Sequence, residues 1–362
     1  MEKYQHVFGR FIQFETQYDG YLLARRDKRY KPEVLSYSAC LEENLIDGIN
    51  HLVWKDYAIS GVHEFYEYFP KKRIITAWPF KNRVINCAAY RVLWPIYKQS
   101  MYEHSYGSIP GMGQVRACKQ LQKWMQISRI NGKNQWMAKA DVAKFFFRIP
   151  HEVQLRELGK PLDDPDMMWF LQTCINGDGR PTGLPLDCGD PSEAERIFGI
   201  GMPVGSLISQ MTANVVMTPV DHYMKRVAMV PRYIRYMDDM ILMGESKQQM
   251  QDCVGMLNDF LQEHMGLQLN NKTAIMPYDS RVEFVGRIVT PDSIRLRNSS
   301  SLQMKRHLKY VREAYGRGEV TLEYARDVIT SYLGLLKHTD CKELREKICE
   351  DYVLIRHSAP DQ

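Results

Sequence analysis

The chain has 362 residues, of which 44% are hydrophobic and 25% charged, with 17 Pro and 23 Gly. That balance excludes disorder, collagen-like repeats and low-complexity scaffolds, and the length suits one catalytic unit with two or three subdivisions. A net charge of +5 is too mild to establish a polyanionic partner by itself. No run reaches the roughly 20 apolar residues that a bilayer crossing needs, and MEKYQHVFGRF has no apolar signal-like core, so a cytoplasmic protein is expected. The eight Cys, at 40, 87, 118, 174, 188, 253, 341 and 349, show no C-x-x-C and no zinc-like pairing with His, which favours free thiols.

Along the chain, SACLEENLIDGINHLVWKDY carries Leu41, Leu45, Ile49 and Leu52 at helical spacing. KRIITAW reads as a strand, RVINCAAYRVLWPIY as a buried helix and VRACKQLQKWMQ as an amphipathic helix. Residues 71–91 hold Lys71, Lys72, Arg73, Lys81, Arg83 and Arg91 without one acid, a candidate polyanion surface. WMAKADVAKFFFRIP predicts a strand running into a helix, with Asp141 at the junction. Residues 151–200 hold ten acids and four bases around a Gly- and Pro-rich core, and are read as an exposed, loop-rich acidic connection over about 159–200. The Asp163-Asp164 pair within it, followed by Pro, is read as a solvated turn. SLISQMTANVVMTPVDHYMKR predicts a helix, and PRYIRYMDDMILMGES predicts a β-hairpin with Asp238 and Asp239 at its tip. QQMQDCVGMLNDFLQEHM is an amphipathic helix, RVEFVGRIVT with SIRLR suggests a second hairpin, and the remainder is helical. Residues 281–320 carry nine Lys/Arg against four acids, with Lys305, Lys309 and Arg312 on one face of a helix opposite Met304, Leu308, Val311 and Tyr315.

Chemistry concentrates at three carboxylates. Asp141 closes an apolar strand, and Asp238-Asp239 lies between the apolar arms YIRYM and MILM, where adjacent carboxylates are costly without a counter-charge. If the two strands lie side by side, up to three carboxylates gather within reach of a divalent cation. Oxygen ligands on rigid elements suit Mg²⁺, and two such ions about 3.5 to 4 Å apart suit in-line nucleotidyl transfer. No His pairs with His, Cys or Glu at hydrolytic spacing, Ser209 lies outside a G-x-S-x-G elbow, and Gly111-Met112-Gly113 lacks the setting of a phosphate loop, which excludes hydrolase and NTPase readings.

These blocks resemble a known family. Tyr236-Met237-Asp238-Asp239 is similar to the catalytic box of reverse transcriptases, and the others follow in order: ADVAKFF (140–146), GMPVGSLISQ (201–210), LNNKT (269–273) and EFVGRIV (283–289). The resemblance covers roughly residues 30–350. It implies an α+β right-hand polymerase fold: an N-terminal segment and fingers over 1–135, a palm of antiparallel sheet plus helices over 136–297, and a helical thumb over 298–362. It implies that Asp141, Asp238 and Asp239, with the backbone of Val142, hold two Mg²⁺, for which Mn²⁺ can substitute. Lys272 would protonate the leaving pyrophosphate. Arg73, Lys72 and Arg83 would clamp the triphosphate, although Arg83 has the alternative of holding the fingers together. Phe146 would gate against the ribose 2′-OH. Val204, Gly205 and Gln210 would lie under template and incoming nucleotide, and Lys305, Lys309 and Arg312 would touch the nucleic-acid backbone.

Within the family, Pro203-Val204-Gly205 and Ser209-Gln210 replace the usual Pro-Gln-Gly and Ser-Pro, and thereby resemble enzymes of diversity-generating retroelements. SYGSIPGMGQVRA (105–117) and SYLGLLKHTDCKELREKI (331–348) resemble that subfamily too, with Met112 and Gln114 departing from its usual Lys and Thr. The implied activity is error-prone, adenine-directed copying of a template-repeat RNA into cDNA, using dNTPs, beside a small basic oligomeric accessory protein and without a membrane. An intron-derived or defence-associated reverse transcriptase is the alternative, and a non-catalytic RNA-binding scaffold is a further one.

Overall fold

The computed structural model describes residues 3–67, 73–188 and 194–356, without the side chains of Arg73, Cys349 and Asp351. Four helices lead the chain: α1 (Val7–Phe11), α2 (Phe14–Ala24), α3 (Pro32–Ala39) and α4 (Leu41–Val53). A hairpin follows, β1 (His63–Glu67) paired with β2 (Arg73–Ala77), then α5 (Phe80–Lys98) and α6 (Gln114–Asn131). The centre comprises β3 (Trp136–Asp141), α7 (Phe145–Arg148), α8 (His151–Gly159), α9 (Pro165–Asn176), α10 (Leu207–Arg226), β4 (Arg232–Tyr236), β5 (Asp239–Gly244) and α11 (Lys247–Phe260), which runs into a π-helical turn, Leu261–Met265. Short strands β6 (Ala274–Pro277), β7 (Val282–Phe284), β8 (Arg287–Val289) and β9 (Ile294–Leu296) precede α12 (Asn298–Gly316), α13 (Leu322–Leu336) and α14 (Lys342–Asp351). Helices and antiparallel sheets thus make the α+β class expected.

The central antiparallel sheet has the order β4-β5-β3-β6. Side chains alternate across it. Ala138, Ala140, Tyr233, Met240 and Leu242 pack with α10 and α11, whereas Met137, Ile234, Ile241 and Met243 pack with α6 and the three-stranded sheet β7-β8-β9. Both faces are covered, which is why the apolar arms flanking Asp238-Asp239 run nearly unbroken.

The structure differs from the sequence expectations at three points. RVEFVGRIVT is a complete hairpin by itself, turning at Val285-Gly286, and SIRLR adds a third strand. The stretch 159–200 is not all loop: α9 buries Met167, Phe170, Leu171, Cys174 and Ile175 against the N-terminal helices. Asp164 is not a solvated turn residue. It is buried, caps α9 by accepting from the Met167 N–H at 3.0 Å, and accepts from the Phe8 N–H at 2.8 Å. The described remainder of this stretch is a strap against the segment after β3. The Met202 and Gly201 N–H groups donate to the carbonyls of Phe146 and Ile149, each at 2.8 Å.

Beneath the β4–β5 turn lies a sealed polar cluster. The Arg235 guanidinium, fully buried, donates from Nε and Nη2 to the two carboxylate oxygens of Asp221 on α10, both at 2.7 Å. Its Nη1 donates to the Met237 carbonyl at 3.0 Å and to Asn214 Oδ1 at 3.1 Å. Ser105 Oγ and Tyr233 OH complete the Asp221 carboxylate, each at 2.9 Å. Met237 takes a left-handed φ of 57°, so the turn is held by its carbonyl where backbone preference opposes it. A Cβ on Gly107 would stand 2.7 Å from the Met237 N, and only glycine lets the 105–107 segment approach so closely. Asp221→Ala leaves the guanidinium buried without its counter-charge, and a loss of about 3–5 kcal/mol is expected; a denaturant midpoint within error of wild type would contradict it.

Candidate active site

Asp141 ends β3 and Asp239 begins β5, and the ladder sets them directly opposite each other. By alternation both point to the face of α6 and β7-β8-β9, the side on which Val285 N donates to Asp239 Oδ2 at 3.4 Å. Asp238 occupies the turn itself, and its carbonyl accepts from Val142 N at 3.4 Å. Val142 is buried in the α10-side core, so that its backbone alone faces this region. Burial first, with the Asp141 charge in the same direction, pushes the Asp239 carboxyl from an ordinary 3.8 up to about 7, against the pull of Lys139 and the Val285 N–H. Asp239 Oδ1 is buried without a hydrogen-bond partner.

That orphaned oxygen, opposed across the ladder by a second carboxylate, fits a divalent cation: a hard positive charge satisfies the oxygen and removes the repulsion between the pair. The donor set that the structure assembles is this facing pair with Asp238 on the adjoining turn. Among the described residues no group of three or more His, Cys, Asp or Glu closes into a ligand cage as it stands, so the three-carboxylate gathering expected from the sequence is not formed with the side chains in these positions.

Asn270 is a site residue within the LNNKT block that carries no role in the sequence pattern. Its Nδ2 donates to Asp141 Oδ2 at 3.3 Å, its N–H to the Asp141 carbonyl at 2.7 Å, and its Oδ1 accepts from the Lys272 N–H at 3.1 Å. One side chain therefore ties the turn of Lys272 to Asp141. Lys272 itself is exposed. Arg235 was the other omission; an Arg between apolar strand residues, one position before Tyr236, was the available signal.

Phe146 lies one turn past Asp141, half-buried, its ring 5.3 Å from that of the buried Phe145, with its carbonyl fixed by the strap. Val204 is half-buried, and its carbonyl accepts from the Thr76 N–H of β2 at 2.7 Å. Gly205 has φ +124°, and a Cβ there would stand 2.9 Å from the Thr76 carbonyl, so both conformation and space require glycine. Gln210 sits half-buried on the first turn of α10, which Ser206 caps. The β1–β2 hairpin is thereby docked on the Val204–Gly205 loop.

Of the basic run 71–91, Lys81 is exposed and the arginines at 83 and 91 are ion-paired. Lys71 and Lys72 lie outside the described residues, and Arg73 is placed by its backbone alone at the start of β2. Arg83 pairs with Glu33 and lies over the Phe80 ring at 5.3 Å, while Arg91 pairs with Asp19 at 2.7 Å. Arg83 thus clasps α3 to α5, the alternative role weighed for it. Lys305, Lys309 and Arg312 are all exposed on α12, with Met304, Leu308 and Val311 buried beneath.

Residues 69–289, more than half of the chain, match the family described as reverse transcriptase (RNA-dependent DNA polymerase). The chain belongs to the reverse transcriptase family, and the right-hand α+β polymerase fold follows from that membership. It is similar to the COX1/OXI3 intron 1 protein of Saccharomyces cerevisiae, 26% identical over 149 residues, which are 40% of this chain and 16% of that one. The COX1/OXI3 intron 2 protein of the same yeast is 21% identical over 266 residues, 57% of this chain and 29% of the relative. The chain therefore spans less than a third of either relative's length. Among solved structures, telomerase from Candida albicans with a fragment of telomeric RNA aligns over 79% of this chain and 56% of its own at 14% identity and a TM-score of 0.46. A chain of a partial Cas6-RT-Cas1–Cas2 complex aligns over 70% and 42% at 18% identity and a TM-score of 0.40. No helix among the described residues is long and apolar enough to cross a membrane.

The Asp239 environment predicts a pH dependence. Its folded pKa is raised, so the folded chain keeps a proton that the unfolded chain releases between pH 4 and 7. In chelator-treated protein this stabilisation is fully present below the ordinary carboxylate pKa of 3.8 and lost as pH rises through about 7. Denaturant titrations at pH 5 and pH 8 should therefore show a larger fall for wild type than for Asp239→Asn; equal falls would refute the assignment.

Proposed function

We propose that this chain is an RNA-directed DNA polymerase acting by two-metal nucleotidyl transfer. The observation that carries the reading is the register of β3 on β5, which opposes Asp141 to Asp239 beside the Asp238 turn. Held by Asp141, Asp238 and Asp239 with the Val142 backbone, Mg²⁺ or Mn²⁺ supplies charge neutralisation at the reacting phosphate and activation of the primer hydroxyl. The chain's own residues do the remaining work. Asn270 fixes the Asp141 carboxylate, Lys272 on the same turn delivers a proton to the pyrophosphate, and Arg73 with Lys72 binds the triphosphate. Phe146 excludes the 2′-OH by bulk, while Val204, Gly205 and Gln210 support the nascent pair. Lys305, Lys309 and Arg312 grip the backbone of the cDNA–RNA duplex.

The finer reading is a diversity-generating retroelement enzyme that copies a template-repeat RNA with errors at adenines, in the cytoplasm, assisted by a small basic oligomeric accessory protein. Val204 supports it: a methyl surface where the family usually places Gln removes a hydrogen bond from the checking of the nascent pair, worth about 0.5–1.5 kcal/mol. The similarity to the yeast intron proteins favours the second reading, an intron-derived enzyme.

Primer extension on an RNA template tests the coarse reading. Wild type should yield cDNA, and Asp238→Ala with Asp239→Ala should yield none; product surviving in the variant would exclude this site. Sequencing the wild-type cDNA separates the finer readings: errors confined largely to template adenines support the retroelement enzyme, and uniformly accurate cDNA supports the intron-derived one. Val204→Gln is expected to improve selectivity by about twofold to tenfold in the same assay, and unchanged error rates would make Val204 a packing residue only.

A further inference from the structure

A pocket of about 180 Å³ lies between α3, α4, residues 56–58 and the first turns of α5, and none of its lining residues belongs to the candidate active site. The chain folds back to build it: the N–H groups of Asp56 and Tyr57 donate to the His51 carbonyl at 3.2 and 3.1 Å. Two lining residues carry polar atoms that the protein leaves unused. Asn82 is 0% exposed, and neither its Nδ2 nor its Oδ1 has a hydrogen-bond partner. The Tyr57 hydroxyl is also buried without one. Such groups are costly to desolvate for nothing, and an unpaired amide on the wall of a cavity marks a place for a polar guest. At the mouth, His51 stands between two exposed carboxylates, Asp56 at 2.8 Å from Nδ1 and Asp47 at 3.6 Å from Nε2, with Lys81 as the one lysine or arginine of the lining.

A side-chain amide presents a donor beside an acceptor, and its complement is an edge with an acceptor beside a donor, as N7 and N6 of adenine are. Guanine sets two acceptors, N7 and O6, on the same edge, and one of them would oppose Asn82 Oδ1. The volume lies below the roughly 300–1,000 Å³ of drug-sized sites, so it admits one base and not a strand. Carboxylates at the mouth accept from sugar hydroxyls and repel phosphate. We propose that this pocket binds adenosine, a purine nucleoside without phosphate, with Asn82 on the N6–N7 edge. Asp56 is engaged by His51 at the shorter distance, which leaves the Asp47 carboxylate for the ribose hydroxyls. A nucleoside held so bridges α4 to α5 and acts as an effector of the N-terminal helices, apart from the substrates of the polymerase reading.

The test is thermal unfolding of the full chain in chelator, with adenosine, guanosine, AMP or dATP titrated separately. A ligand that binds only the folded chain raises the midpoint with its concentration. Adenosine is expected to do so, and guanosine and AMP to need at least about tenfold more for the same rise. Asn82→Leu removes the unpaired amide at similar size, so the free variant should melt higher than wild type and give no response to adenosine. That higher midpoint shows the variant folded. Asp47→Ala, at an exposed position, should leave the free midpoint unchanged, weaken adenosine by about tenfold and lose the discrimination against AMP. No wild-type response to adenosine would overturn the proposal and leave a hydrated pocket. A response surviving in Asn82→Leu would overturn it too, as would AMP or dATP acting as strongly as adenosine on wild type. Neither metal nor polymerisation enters the readout, so a failed polymerase assay and a failed pocket are distinguished.

Discussion

The Arg235–Asp221 ion pair is the constraint on which the site depends. Two charges taken fully out of water are costly, and that cost is offset only because every donor and acceptor finds a partner. Those partners come from separate parts of the chain: Asp221 and Asn214 on α10, Ser105 before α6, Tyr233 on β4, and the Met237 carbonyl in the turn. The cluster therefore joins the helix behind the sheet to the turn in front of it. Met237 can hold its left-handed φ because the guanidinium fixes its carbonyl from below, and Asp238 and Asp239 follow from there.

Around that anchor, the site is built from short-range attachments to a rigid sheet. β3 brings Asp141 opposite Asp239, Asn270 ties Asp141 to the Lys272 turn, and the Met202 N–H fixes the carbonyl of Phe146. The hairpin β1–β2 is attached through the backbone hydrogen bond from Thr76 to Val204, the close approach at Gly205 and the ion pair of Glu64 with Arg196. Polar groups at the site are thus positioned by backbone and buried side chains, while Lys272 and the α12 cations are exposed. That division suits a reaction whose catalysis is mostly placement and charge.

Much of this was legible in the sequence where the period was strong. YIRYMDDMILM sets two nearly unbroken apolar arms around a polar pair, so strand, turn and strand were readable, and WMAKAD likewise led to Asp141. The readings failed where a local signal has two physical meanings. Asp163-Asp164-Pro165-Asp166 has turn composition, yet an Asp at the cap, Pro at the first position and an acid in the first turn also start a helix, and α9 uses them so. The β7 and β8 strands are three residues each, too short for periodicity, and turn through Val285 at φ 45°, which no residue-type preference signals. Arg83 and Arg91 of the basic run pair with Glu33 and Asp19 in other helices. Asn270 and Arg235 act through tertiary contacts 129 and 14 residues away, and neither separation is visible as a motif.

The facing carboxylates of Asp141 and Asp239 fit a divalent cation. Mn²⁺ binding by the full chain, read from the loss of the free-ion electron paramagnetic resonance signal at pH 8, tests it directly. Wild type is expected to bind Mn²⁺ measurably and Asp141→Asn with Asp239→Asn to lose that binding, while thermal stability at pH 5 is retained. Undiminished Mn²⁺ binding by that double variant would contradict it.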